Sequence, residues 1–539
     1  EYRSLMQDVA ANGGKTPPEA LSDPGRQDID TDWQDLMFQT APIQSYNLGL
    51  SGGGKFATFS ISGGYFRQEG IQVTTRYDRA NVQINSQGRK GRFRFGETLL
   101  LAGDVNKTEP NYIGGYMLGH MITASPLVSA FNPDADGGYG GADALDGGLQ
   151  FLNPYGYSML RDQRSRNLQV LGSVYGQFEI LPGLDYRLNL GTDLAAGSSS
   201  EFIPTFAMGN ISQNQATLSN DNGNRLSWLA EHTLTFSRAL GRHQVTALAG
   251  YSDQYLQNYG FRATATGFPN NDLRVLSAAS NVNKSNDGTR DELYLRSFFA
   301  RVNYTLADRY LLTATVRRDG SSNFSKNNRY GTFPSVSLGW ILSEEGFLKD
   351  SPLVSLLKIR ASYGLLGNQA IGPYNYSPTL NVTSNYPFGV DQQVQPGTAP
   401  RRLPSDAKWE TTKQADVGLE LGLLQDKLVL VADYFHKQTD GMLITAPNIP
   451  LTTGLPDKPA VNAGGIENQG VELALTYRQA TGPFTYSLTG NFTTYRNRVT
   501  SLGNNGQPLF APSAGYSFAK TEVGSSIGRF YGYVADGLY

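Results

Sequence analysis

The chain has 539 residues, 39% of them hydrophobic and 17% charged, with 45 Lys and Arg against 47 Asp and Glu and no cysteine. A formal net charge of -2 with no basic cluster speaks against nucleic acid as a partner, and the lack of cysteine removes disulfides and thiolate metal sites. No run of about 18 apolar residues occurs, which excludes a helical membrane span but not a β-barrel, where only alternate strand residues meet lipid.

Residues 1–43 differ from the rest. EYRSLMQDVAANGG has the make-up of a short helix stopped by glycine, and Asp30-Thr31-Asp32 offers a cap for a second, TDWQDLMF. From residue 44 to 539 the apolar period is two, and about sixteen strands in eight hairpins are expected. Connections inside hairpins are short, at 52–55, 86–90, 181–183, 239–242, 306–309, 424–427 and 480–483, with a longer one at 343–356. Those between hairpins are long: 104–164, 196–224, 260–293, 318–332, 367–411 and 439–467. The clearest meander runs from Arg296 to Trp340. There Phe298, Ala300, Val302 and Tyr304 share one face and Phe299, Arg301, Asn303 and Thr305 the other; past a tight turn, Leu312, Ala314 and Val316 alternate with Thr313, Thr315 and Arg317.

A soluble sandwich has no reason to alternate short and long connections over so many strands, whereas a barrel threaded through one membrane has short turns inside and long loops outside. The faces agree. Asn81, Gln83 and Asn85, Arg92 and Arg94, Asp416 and Glu420, and Thr485, Ser487, Thr489 and Asn491 are expected to face a wet lumen. Val82 and Ile84, Phe93 and Phe95, Val417 and Leu419, and Tyr486 and Leu488 are expected to face lipid. The fold class is therefore all-β, a large antiparallel transmembrane barrel.

Several stretches resemble the SusC-like (RagA-type) TonB-dependent outer-membrane transporters. They include TDWQDLMF (31–38), GGYFRQEGI (63–71), FFARVNYTLADRYLLTATVRRDGSSNF (298–324), FPSVSLGWILSEEGFL (333–348), LKIRASYGLLGNQAIGPY (357–374), IENQGVELALTY (466–477) and IGRFYGYVADGLY (527–539), in the family's order. The resemblance implies a barrel of about 22 strands in the full protein, of which roughly sixteen lie here. Residues 1–43 then read as a linker from a plug domain not in this chain, and residues 44–539 as a barrel incomplete at its C-terminal end. It further implies an energy-coupled importer in the outer membrane of a diderm bacterium, taking oligosaccharides or peptides. Its expected partners are a SusD-like lipoprotein lid, TonB acting through the plug, and outer-membrane lipid. A passive porin or a structural barrel without energy coupling stays open beside it, as does a surface protein of stacked hairpins.

Import needs affinity rather than bond-making groups, and rings in the long connections are the natural candidates for stacking on a sugar or holding a peptide side chain. These are Tyr112, Tyr116, Tyr139, Tyr155 and Tyr157 in one connection and Tyr374, Tyr376, Tyr386 and Phe388 in another; their plainer use is to fold those connections. Asn132, Asp134, Asp136 and Asp143, with Gly137 in the sixth place, have the oxygen spacing of a calcium loop, although Asp/Gly clusters are ordinary loop material. The four histidines, His120, His232, His243 and His436, sit in no nucleophile motif, so no catalytic residue and no other cofactor is expected.

Overall fold

The computed structural model describes residues 1–109, 111–112, 115–146, 152–388, 393–445, 449–455, 457–503, 506–513 and 516–534, without the side chains at 111–112, 115–116, 382–388, 393–396, 451, 511–513 and 516–517. Helix α1 (Tyr2–Asn12) opens the chain, and α2 (Trp33–Met37) follows a cap in which the Asp32 carboxylate accepts from the backbone N–H groups of Gln34 and Asp35. Then come β1 (Ile43–Gly53), β2 (Ala57–Glu69), β3 (Arg76–Lys90) and β4 (Phe93–Lys107). Two helices, α3 (Met117–Thr123) and α4 (Pro154–Leu160), occupy the connection to β5 (Asp162–Leu181). The strands continue as β6 (Leu184–Ile203), β7 (Thr217–Leu240), β8 (His243–Thr266), β9 (Lys284–Leu306), β10 (Tyr310–Ser321) and β11 (Tyr330–Ile341). The last five are β12 (Val354–Asn368), β13 (Glu410–Leu423), β14 (Leu428–Asp440), β15 (Gly464–Gln479) and β16 (Tyr486–Leu502). All sixteen belong to one antiparallel sheet, each beside its neighbours in sequence.

The short connections fall at one end of the hairpins, as the sequence predicts, with two corrections. Ser86–Lys90 is strand rather than turn: Ser86 pairs with Glu97 and Lys90 with Phe93, so the turn is Gly91-Arg92, with Gly91 at a φ of +60°. Arg92 therefore sits in the turn instead of on the inner face, and Thr485 likewise precedes β16. Between β9 and β10 both Ala307 and Asp308 take positive φ, 54° and 55°, the mirror-image turn whose twist suits a hairpin. On the other side the strands outrun the expected loops. Polar stretches such as Ser198–Ser200 and Asn220–Asn224 pair within β6 and β7, although they carry no apolar alternation to reveal it. The link between β2 and β3, residues 70–75, is short despite lying on the long-connection side.

The structure divides into two compact units: residues 1–175, 191–228 and 256–291, and residues 176–190, 229–255 and 292–539. In the second unit, register lines up Leu312, Leu338, Ala361, Val417, Tyr434 and Val471 across six strands. Leu338 is 56% exposed and Val417 55%. Such a row is far too long for a water-facing surface at about 25 cal/mol per Å² of apolar area, and lipid is its natural solvent. One residue along each strand, Thr313, Ser337, Ser362 and Asp416 form the opposite, polar row. In the first unit the exposed row is Leu48, Gly63, Val82 and Leu101, and the polar one Ser60, Asn85 and Thr98.

Buried apolar side chains gather in the connections instead. In the first unit Trp33 and Met37 of α2, Met117 and Met121 of α3, Tyr157 of α4, and Phe206 and Met208 pack into one core. The second unit has a smaller cluster, Phe324, Ile371 and Ala407, against Trp409.

Candidate functional site

The polar face of the second unit holds a cavity of about 530 Å³ walled by β10, β11, β12 and β13. Alternation brings Thr313, Thr315, Arg317 and Asp319 of β10 to this face, and register sets Ser335 and Ser337 of β11 and Ser362 of β12 beside them. The Arg317 Nε donates to both Asp319 carboxylate oxygens at 2.7 and 2.9 Å, and its Nη2 donates to Ser297 Oγ at 2.8 Å. The same guanidinium lies 5.5 Å from the Phe299 ring centroid. Asp416 of β13 accepts from Gln414 Nε2 at 3.0 and 3.1 Å and from Ser362 Oγ at 3.2 Å. Phe333 lines the cavity and meets Trp409 edge to face, with centroids 5.4 Å apart.

On the same face lies an ion cluster. Lys358 and Arg360 of β12 share Glu420 of β13 at 3.0 and 3.2 Å, and Arg360 reaches Asp433 of β14 at 2.8 Å. Two cations meet two carboxylates, so the wall is strongly polar but close to neutral, and no single charge sign dominates what passes it. His232 and His243 bond the hydroxyls of Tyr186 and Tyr304, each at 2.7 Å, and His436 bonds Glu467 at 3.1 Å. The wall offers hydroxyl and amide groups, paired charges and the Phe333 ring, which suits recognition of a polar ligand.

The rings singled out in the connections have varied places. Tyr157 is only 2% exposed and packs edge to face on Phe206 at 5.9 Å, a structural position with no free face for a ligand. Tyr139 and Tyr155 come together with Phe131, their centroids 5.8 to 6.2 Å apart, and burial pushes the Tyr139 phenol up. Tyr374 is exposed at a φ of 57° and Tyr376 is half-buried; neither lines the cavity. The side chains of Tyr112, Tyr116, Tyr386 and Phe388 lie outside what the structure describes. Alternation assigns Thr313, Thr315, Arg317 and Asp416 to a face, whereas gathering them into one pocket also needs register.

Of the side chains expected in a calcium loop, those of Asn132 and Asp143 are engaged within the protein. Asn132 Oδ1 accepts from Asp134 N, Asp136 offers its backbone carbonyl to Ala207 N, and Asp143 accepts from Leu145 N and pairs with Arg26 at 2.5 Å. Among the described residues no group of three or more His, Cys, Asp or Glu side chains gathers to hold a metal ion. Arg26 instead bridges Asp143 and the buried Asp146, at 2.8 Å from the latter, and ties the segment before α2 to the connection after α3. Burial works against the Arg26 charge, and the two carboxylates more than offset it, so its pKa stands above the usual value.

A family profile described as "TonB dependent receptor-like, beta-barrel" matches residues 119–534. The chain is similar to TonB-dependent receptor P3 of Formosa agariphila, 33% identical over 528 residues that cover 94% of this chain and 51% of that protein. It is also similar to TonB-dependent receptor SusC of Bacteroides thetaiotaomicron, 27% identical over 586 residues, 100% of this chain and 54% of the other. Among solved structures, the RagAB peptide transporter matches with a TM-score of 0.79 at 24% identity, over 93% of this chain and 55% of that one, a likeness of fold. The chain thus spans about half the length of the curated relatives it matches. With its antiparallel strand order, apolar outer row and polar inner row, the chain belongs to the TonB-dependent receptor β-barrel family of the outer membrane and is SusC-like within it.

Proposed function

We propose that this chain forms the barrel wall of an outer-membrane importer for oligosaccharides, driven by TonB through a plug and lidded by a SusD-like lipoprotein. The observation that carries the reading is the cavity on the polar face. Thr, Ser and Gln side chains match sugar hydroxyls, Asp416 and the Arg317–Asp319 pair supply charge-assisted hydrogen bonds, and Phe333 offers ring surface. Near-neutrality of the wall favours an uncharged ligand. The lid and the energy coupling rest on family likeness, since the relatives are TonB-dependent receptors about twice this length.

The test is calorimetric titration of the full-length protein, purified in detergent with its lipoprotein, against a panel of oligosaccharides and oligopeptides. Oligosaccharide binding is expected, and Gln414→Ala should weaken it about tenfold through lost hydrogen bonds. Binding of peptides alone would overturn the glycan assignment and leave import standing. Steady ligand-independent conductance in a planar bilayer, with no binding of either class, would replace import by a passive pore.

A further inference from the structure

On β5 the even-numbered residues share a face. Leu168, Val170, Val174, Phe178 and Ile180 make it apolar, and Arg166, Arg164 and Asp162 continue the same row toward the long connection. From Leu168 to Ile180 the strand rises about 40 Å, and a barrel tilt of about 40° turns that into about 30 Å of height, enough for the whole apolar band. Arg166 is the first residue past it. The row therefore changes from leucine to arginine where the membrane changes from acyl chain to headgroup, on the side of the long loops.

Here a pocket of about 490 Å³ opens in the first unit, lined by Asp162, Arg164, Arg166, Ser200, Asn220 and Arg274 among others. Arg274 is fixed in place: its Nη1 donates to Asp162 Oδ2 at 2.9 Å, and its guanidinium stands 4.8 Å from the Phe202 ring centroid. Ser200 Oγ donates to Asn220 Oδ1 at 2.8 Å. Arg164 and Arg166 are exposed, and neither makes a hydrogen bond or ion pair with a described residue. Three guanidiniums thus face one carboxylate. Two like charges alternating on one strand face are about 7 Å apart and repel each other, so a solvated pair there gains from an anion between them.

We propose that this pocket binds the phosphate of a glycolipid headgroup in the outer leaflet. Arginine forks match phosphate oxygens two at a time, and the pocket stands at the depth where headgroup phosphates lie, with the acyl chains continuing down Leu168 and Val174. The neutral Ser200 and Asn220 are placed to meet the sugar. The proposal rests on the membrane placement of the barrel, independently of what the barrel transports.

The full-length protein in nanodiscs would be titrated with lipid A, an acylated, diphosphorylated glucosamine disaccharide, and bound lipid counted by native mass spectrometry. Binding is expected for lipid A, about tenfold or more weaker for its dephosphorylated form, and about tenfold to a hundredfold weaker for the Arg164→Gln, Arg166→Gln double variant. Inorganic phosphate at millimolar concentration should not displace it. Equal binding of the two lipids by the unaltered protein, a comparison that needs no variant to fold, would overturn the proposal. So would an unchanged affinity in a double variant that keeps the heat-resistant gel mobility of a folded barrel. Full displacement by inorganic phosphate would also overturn it, assigning the pocket to a soluble anion.

Discussion

The packed connection of the first unit and the strand wall of the second use the same side chains to opposite ends. Tyr157, Phe206, Met117 and Trp33 are hidden from all solvent, and their apolar area stabilises a local core of three short helices that could not hold alone. Leu338, Val417, Tyr434 and Trp340 are held outward by the strands and left bare, because their partner is lipid rather than protein. Residue type alone thus says little about role; the period in which the residue sits says more. Tyr157 in its connection folds a core, whereas Tyr434 in a two-residue alternation faces the membrane.

The largest break in this comparison comes from the buried ring. Tyr157→Ala leaves a cavity against Phe206 and should cost about 3–5 kcal/mol of local stability. Hydrogen exchange should report it as lost protection over residues 117–160, with the strands still protected; a uniform loss over all strands would mean the core and the wall are one cooperative unit. A smaller effect separates the two faces of the wall. Leu338→Arg puts a guanidinium into lipid and should destabilise by about 2–4 kcal/mol, while Ser337→Arg one residue away points into water and should change stability by less than about 1 kcal/mol. Unfolding the full-length protein from lipid vesicles by denaturant measures both. Equal losses would undo the assignment of inner and outer faces.

Much of this was legible in the residues. The alternation of Phe298, Ala300, Val302 and Tyr304, repeated down the chain, gives the sixteen strands and their two faces, because a two-residue period has one structural meaning. Above the membrane the signal fades. Ser198–Ser200 and Asn220–Asn224 are wet on both sides, so β6 and β7 extend through them unannounced, and the turn at Gly91-Arg92 was hidden among polar neighbours that still pair. The cavity beside Arg317 was half legible: its β10 face is in the alternation, but the meeting of Thr313 with Ser337 and of Ser337 with Ser362 is register, which turn lengths and bulges decide. The Arg26 bridge spans more than a hundred residues and has no local signature at all.

The smallest predicted effect sharpens the edge of the wall, where Tyr310 and Trp340 stack with centroids 6.3 Å apart next to a short connection. Their polar tips do not go unmet. Tyr310 Oη donates to Glu345 Oε1 at 2.6 Å, Trp340 Nε1 donates to the same oxygen at 3.1 Å, and Arg309 Nη1 reaches Oε2 at 2.9 Å. The tyrosine hydroxyl first, then the indole, hold the Glu345 carboxyl below the ordinary glutamate value. A carboxyl with a depressed folded pKa adds stability that is present above its unfolded value, about 4.3, and is lost as pH falls through the folded one. Glu345→Gln should therefore lower the Tm of the barrel by about 1 °C at neutral pH, and the two melting curves should draw together as pH falls below about 4.3. A gap that stays constant down to pH 3 would mean that the side chain acts through its shape rather than its charge, and the aromatic pair would then be held by stacking alone.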